Sequence, residues 1–138
     1  MKAVRLLEYG GQLVSDEVPT PAIAPDEILV KVKATAVNHL DLVKASGTAR
    51  QILPIDLPWI PGHEFSGVVE QIGSDVAAYA PGESVFGISG VGGAYAEYLA
   101  VKAAAVAGNH PTSPLRTRHQ CRWRPKLRGR ESSPTVTW

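Results

Sequence analysis

One cysteine, Cys121, is all that the sequence contains, so no internal disulfide framework is available and nothing marks a secreted, disulfide-stapled fold. No stretch approaches the roughly eighteen uninterrupted apolar residues that a membrane helix needs. Met1-Lys2-Ala3-Val4-Arg5 does not lead into the long apolar run of a signal peptide. Both absences predict a cytoplasmic protein with no membrane partner. A phosphate-cradling glycine motif is missing too. Gly90-Val91-Gly92-Gly93 is the densest glycine cluster, but it lacks the G-x-G-x-x-G spacing and does not open a helix. Nucleotide binding through it is not expected.

What remains is a chain of 138 residues, room for one domain with a real core. Its net charge of +1 conceals a division. Residues 1–108 carry seven Lys and Arg against twelve Asp and Glu, whereas residues 109–138 carry seven against one. The second segment also holds Cys121, two of the three tryptophans and four of the eleven prolines. It shows no period of two or of 3.6, and its apolar residues are isolated. We read 109–138 as a disordered basic tail, or as a frameshifted or artificially joined stretch, and place a domain boundary at Gly108. Clustered arginines attract phosphates. This tail offers no recognition helix, however, and only Trp123 is embedded among its arginines, so nucleic-acid binding ranks as a rival reading and not as the expectation.

Residues 1–108 read as short strands parted by turn chemistry. Val4, Leu6 and Gln12–Glu17 flank Gly10-Gly11 as a hairpin. Pro19, Pro21 and Pro25 force an extended connection. Ile28, Val30, Val32, Ala34 and Ala36 alternate with Leu29, Lys31, Lys33 and Thr35, which predicts an antiparallel strand with one buried face. Asn38–Ser46 is the helical candidate: Asn38 is a good N-cap, Asp41 lies in the first turn, Leu40 and Val43 share a face, and Gly47 stops the helix. A proline-punctuated loop spans 48–61. Beyond it, Ala80-Pro81-Gly82-Glu83 has the chemistry of a type II turn. Ser84–Ile88 and Tyr95–Val101 are further strands. Many short strands with one or two short helices predict a mainly β fold, a small and partly open barrel.

The most informative stretch is Trp59 to Val76. Pro61-Gly62-His63-Glu64 sets a His-Glu pair behind a glycine, and Gly67-Val68-Val69 continues into β-branched bulk suited to a strand. With Pro25-Asp26-Glu27, Ala36-Val37-Asn38-His39-Leu40-Asp41, Pro81-Gly82-Glu83-Ser84-Val85-Phe86-Gly87 and Gly93-Ala94-Tyr95-Ala96-Glu97-Tyr98, this segment resembles the N-terminal GroES-like domain of the medium-chain dehydrogenase/reductase superfamily. The likeness is nearest to its zinc-independent quinone oxidoreductase (zeta-crystallin-like) branch and runs over residues 1–107.

The resemblance implies the substrate-side wall of an oxidoreductase that reduces quinones, enones or similar carbonyls by hydride transfer from NADPH. In that family a following Rossmann domain binds the nucleotide, and no such domain is read here, so the chain is expected to be incomplete and inactive alone. A GroES-like binding module is a second rival. Substrate-cleft candidates are Asn38, Asp41, His63 and Glu64. Three of them have a plainer role. Asn38 caps a helix, Asp41 favours a helix N-terminus, and His63 hydrogen-bonds nearby backbone and orients its strand. Trp59 covers the core. Zinc is not expected, because the resemblance puts Asn38 at the cysteine ligand position and leaves His63 as one plausible ligand. The family's missing C-terminal elements would leave apolar surface open to aggregation or oligomer formation.

Overall fold

The structure, a computed structural model, describes residues 1–108. The predicted basic tail 109–138 lies outside the described residues. In chain order the elements are β1 (Lys2–Leu6), β2 (Leu13–Glu17), β3 (Glu27–Thr35), α1 (His39–Ser46), β4 (Glu64–Ile72), β5 (Ser84–Ile88), β6 (Tyr98–Lys102), a short 3₁₀ turn (Ala103–Ala105) and β7 (Val106–Gly108). β1 and β2 form a two-stranded sheet, and the other five strands form a second sheet in the order β6-β3-β4-β5-β7. Every strand pair is antiparallel. The fold is mainly β, as predicted, and the two sheets do not close into a complete barrel. Among the described residues no helix is long and apolar enough to cross a membrane.

The hairpin around Gly10-Gly11 forms with Lys2 opposite Glu17 and Leu6 opposite Leu13, so Gln12 belongs to the turn and not to the strand. The small sheet is tied to the rest through backbone pairs. Leu6 exchanges both hydrogen bonds with Trp59 (2.7 and 2.9 Å), and the Val4 amide donates to the Tyr95 carbonyl at 2.8 Å. The Pro81-Gly82 turn also forms, with Gly82 at φ +93° and the Glu83 amide bonded to Ala80 O at 3.2 Å. This is the positive φ that a type II turn requires of its third residue.

β3 departs from simple alternation. Ile28, Leu29 and Val30 are all buried, so the first half of this central strand is covered on both faces. The pairing with β4 then slips between Val32 and Ala34. Lys33 is the extra residue of that bulge, and an extra residue reverses which side chains point inward. Ala34, expected in the core, is therefore exposed, and Thr35 turns back to donate its hydroxyl to Glu64 O at 2.7 Å. The strand ends at Thr35, one residue short of the predicted Ala36. β6 begins at Tyr98 where Tyr95 was predicted, and the edge strand β7 has no pattern that announced it.

The core is filled from both sides of β3 and β4. Ile28, Val30, Phe65, Val69, Val85, Leu99 and Val101 are each at most 6 % exposed. Burial of such a side chain stabilises the fold by about 1.5–3 kcal/mol. Trp59 is buried as predicted, and its indole N–H donates to Val91 O at 2.8 Å. The helix does not follow its predicted face. Leu40 and Val43 are only half-buried, and the side chains of α1 that point fully inward are Asp41 and Lys44.

Candidate functional site

A helix start and a strand start meet at this site. Asn38 sits in extended backbone (φ −108°, ψ 150°) immediately before α1, and its side-chain oxygen accepts from the Leu40 amide at 3.2 Å. Asp41 reaches back so that one carboxylate oxygen accepts from the Asn38 amide at 2.9 Å. This reciprocal capping satisfies amides that the helix leaves unpaired. Gly47, at φ +74°, closes the other end, with its amide on Lys44 O at 3.2 Å. Residues three apart on a helix share a face, so Asp41 and Lys44 project together toward the start of β4.

There the chain turns at Gly62, φ +94°, and enters β4 through His63 and Glu64. Asp41 Oδ1 accepts from the Gly62 amide at 3.1 Å and from His63 Nδ1 at 2.6 Å. On the far side of the imidazole, His63 Nε2 meets Lys44 Nζ at 2.9 Å. An ammonium has three hydrogens and no lone pair, so Nε2 accepts and the ring hydrogen lies on Nδ1, pointing at Asp41. Acid, imidazole and amine thus form one continuous chain. Asp41 and His63 are 3 % exposed and Lys44 is 8 % exposed. A buried acid and a buried base compensate one another across the ring, the condition under which charges are tolerated inside a protein.

Four further side chains border this chain. Asn38 Nδ2 donates to Glu64 Oε1 at 3.0 Å, which joins the helix cap to the strand. The Tyr95 hydroxyl lies 3.4 Å from Asp41 Oδ2 and 3.3 Å from Ala36 O, and its single hydrogen serves one of them at a time. Burial, then the negative charge and hydrogen bond of Asp41, push the Tyr95 phenol up to about 12. The Trp59 ring is centred 6.0 Å from the imidazole, tilted by 55°.

All four candidate residues therefore come together: Asn38 and Asp41 at the mouth of α1, His63 and Glu64 at the mouth of β4. The plain role expected of His63 needs correction. Both ring nitrogens go to side chains, Asp41 and Lys44, and not to nearby backbone. Sequence reasoning passed over Lys44 and Tyr95. The three-residue spacing of Asp41 and Lys44 was the available signal for the first; nothing local distinguished Tyr95. Among the described residues no three His, Cys, Asp or Glu side chains gather where they could hold a metal ion. The only described α-helix has its N-terminus closed by Asn38 and Asp41, so it does not fit a dinucleotide pyrophosphate. A hollow of about 530 Å³ lies elsewhere, lined by Arg5, Glu17, Pro58, Ile60 and Tyr98 among others.

Comparison with known proteins places this site in context. The alcohol dehydrogenase GroES-like domain family matches residues 24–111. The quinone oxidoreductase of Rattus norvegicus is 35% identical over 118 residues, covering 83% of this chain and 33% of that protein. The Homo sapiens quinone oxidoreductase is 36% identical over 114 residues, covering 80% and 32%. Among solved structures, the Escherichia coli quinone oxidoreductase complexed with NADPH superimposes with a TM-score of 0.71 at 28% identity, over 78% of this chain and 34% of that one. The quinone oxidoreductase of Pseudomonas syringae gives 0.74 at 28% identity, over 81% and 34%. The chain spans about a third of the length of the curated relatives it matches.

Proposed function

Because this chain belongs to the alcohol dehydrogenase GroES-like domain family, we propose that residues 1–108 form the substrate-side half of an oxidoreductase acting on quinones, enones or similar carbonyls, with NADPH as the hydride source. The N-terminus of α1 is closed by its own cap, and in this reading a second domain, in this chain or another, holds the nucleotide. Our reading keeps 109–138 apart from this domain, as a basic tail with no part in the chemistry.

The observation that carries the proposal is the buried Asp41–His63–Lys44 chain, built where the start of α1 meets the start of β4. His63 takes one of the three N–H groups of Lys44. The other two make Lys44 the strongest donor available here to a carbonyl oxygen that gains negative charge during reduction. Asp41 holds the imidazole, and the imidazole holds the amine, so the donor is positioned before a substrate arrives. Asn38 Nδ2 keeps a second N–H beside its bond to Glu64, suited to orienting the same oxygen.

The test is a fusion of residues 1–108 to the nucleotide-binding half of a related quinone oxidoreductase, assayed for NADPH oxidation with 1,4-benzoquinone and with a simple enone. Turnover at least about tenfold above that of the nucleotide-binding half alone is expected, a barrier difference of about 1.4 kcal/mol or more. A folded fusion that binds NADPH yet turns over neither substrate class would overturn the reading.

A further inference from the structure

Histidine side chains backed by a carboxylate are well prepared to bind metals: the carboxylate fixes the tautomer and strengthens the lone pair on the other nitrogen. His63 has that preparation, with Asp41 on Nδ1 at 2.6 Å, which leaves its lone pair on Nε2. The direction of that lone pair is taken by Lys44 Nζ at 2.9 Å. We propose that the Lys44 ammonium holds the coordination position on His63, so that the site carries a tethered cation in place of an exchangeable one and takes up no transition metal. Here Lys44 acts on His63 itself, by occupying the lone pair of Nε2.

Three observations bear on this. A metal ion would need Nε2 at about 2.0–2.1 Å, along the line that the amine already occupies, so the two cannot share the lone pair. Lys44 is only 8 % exposed, hence its amine cannot leave for solvent without an opening of the helix against the strand. Among the described residues, Lys44 forms no ion pair with a carboxylate, and its hydrogen-bond partner is His63 alone. The lysine is thus committed to the imidazole. The inference does not depend on the proposed reaction, because it concerns which cation His63 accepts.

The experiment uses the full 138-residue chain, ¹⁵N-labelled, at neutral pH. Long-range ¹H–¹⁵N spectra of the histidine rings report where each ring proton sits, and added Co²⁺ broadens any ring that it approaches. In the wild type, His63 should carry its proton on Nδ1, and its signals should survive Co²⁺ concentrations that broaden the exposed His39. In Lys44→Met, His63 should broaden at a Co²⁺ concentration about tenfold or more below that needed in the wild type, the scale on which ligand-shell changes move metal affinity. Lys44→Arg, which keeps a cationic donor, should retain the resistance. Burial alone would protect His63 equally in wild type and Lys44→Met, so that result in a folded variant sinks the proposal. A wild-type ring protonated on Nε2, or broadening in step with His39, sinks it too. If Lys44→Met loses its dispersed backbone spectrum, Lys44→Gln takes its place in the same comparison. Metal exclusion with an inactive fusion would leave this inference standing and remove the reductase reading; turnover with free metal uptake at His63 would do the reverse.

Discussion

Replacing Asp41 by asparagine preserves size and shape but removes one acceptor and one charge, and the structure allows the cost to be worked through. Four donors converge on the carboxylate: the Gly62 amide at 3.1 Å and His63 Nδ1 at 2.6 Å on one oxygen, the Asn38 amide at 2.9 Å and the Tyr95 hydroxyl at 3.4 Å on the other. Whichever way an amide is turned, its NH₂ faces two donors. The less costly choice keeps its oxygen toward Gly62 and His63, which are buried, and surrenders the bond to Asn38, which is half-exposed and open to water. Loss of that capping arm costs about 1 kcal/mol. The two surviving bonds lose their charge assistance, about 1 kcal/mol each. Lys44 then remains as a buried charge with no acid across the ring. The total falls at about 3–5 kcal/mol, the range for breaking a buried pair by removing one partner. The assay is urea unfolding followed by far-ultraviolet circular dichroism, in which such a loss moves the midpoint by about 2 M. Asp26→Asn serves as control. Its pair with Lys102 spans 3.2 Å between side chains that are 56% and 70% exposed, so a change of at most about 1 kcal/mol is expected. If Asp41→Asn proves as mild as Asp26→Asn, the carboxylate does not bind helix to strand in the way described.

Two glycines at positive φ should respond unequally to alanine. At Gly62 a Cβ would lie 2.9 Å from the Tyr95 backbone nitrogen, so strain and overpacking together should cost about 2–5 kcal/mol. Gly82 faces open space and should lose only about 1–2 kcal/mol. Equal urea midpoints for the two variants would contradict this. Ile28→Ala should destabilise by about 2–5 kcal/mol through a core cavity, whereas Val37→Ala, at a residue 75% exposed, should stay within about 0.5 kcal/mol in the same titration. Tyr95 adds a pH dependence. Its phenol holds a proton to about 12 in the folded chain against 10.0 ordinarily, so the unfolded state loses that proton first. Stability should be unaffected by this group below pH 10, fall as pH rises between 10 and about 12, and fall no further beyond. Tyr95→Phe should remove that part of the decline when urea midpoints are compared across the range.

Much of the fold was legible because its signals are local. Gly10-Gly11, Pro81-Gly82 and the Asn38 cap each act through the dihedrals and hydrogen bonds of a few neighbouring residues, and each formed where it was read. The bulge at Lys33 was not legible. It depends on pairing with a strand more than thirty residues away, and β-branched periodicity alone carries no register. β7, only three residues long, has too little pattern to stand out. The site divides in the same way. His63 and Glu64 were conspicuous between glycines, and Asn38 and Asp41 at a helix start. Lys44 carried no such signal, since lysine is seldom buried. Only the approach of β4 supplies the imidazole that draws it inward.

The backbone ties between the first strand and residues 59 and 95 carry a consequence for synthesis on the ribosome. β1 cannot seat until the carbonyls of Trp59 and Tyr95 exist to receive the Leu6 and Val4 amides, and β3 is flanked by β4 and by β6, which starts at Tyr98. The first strand to be made is thus among the last to be satisfied. Pairings so distant in sequence must close large loops before they stabilise anything. The nascent chain should remain cleavable by proteases until roughly residue 102 has left the exit tunnel.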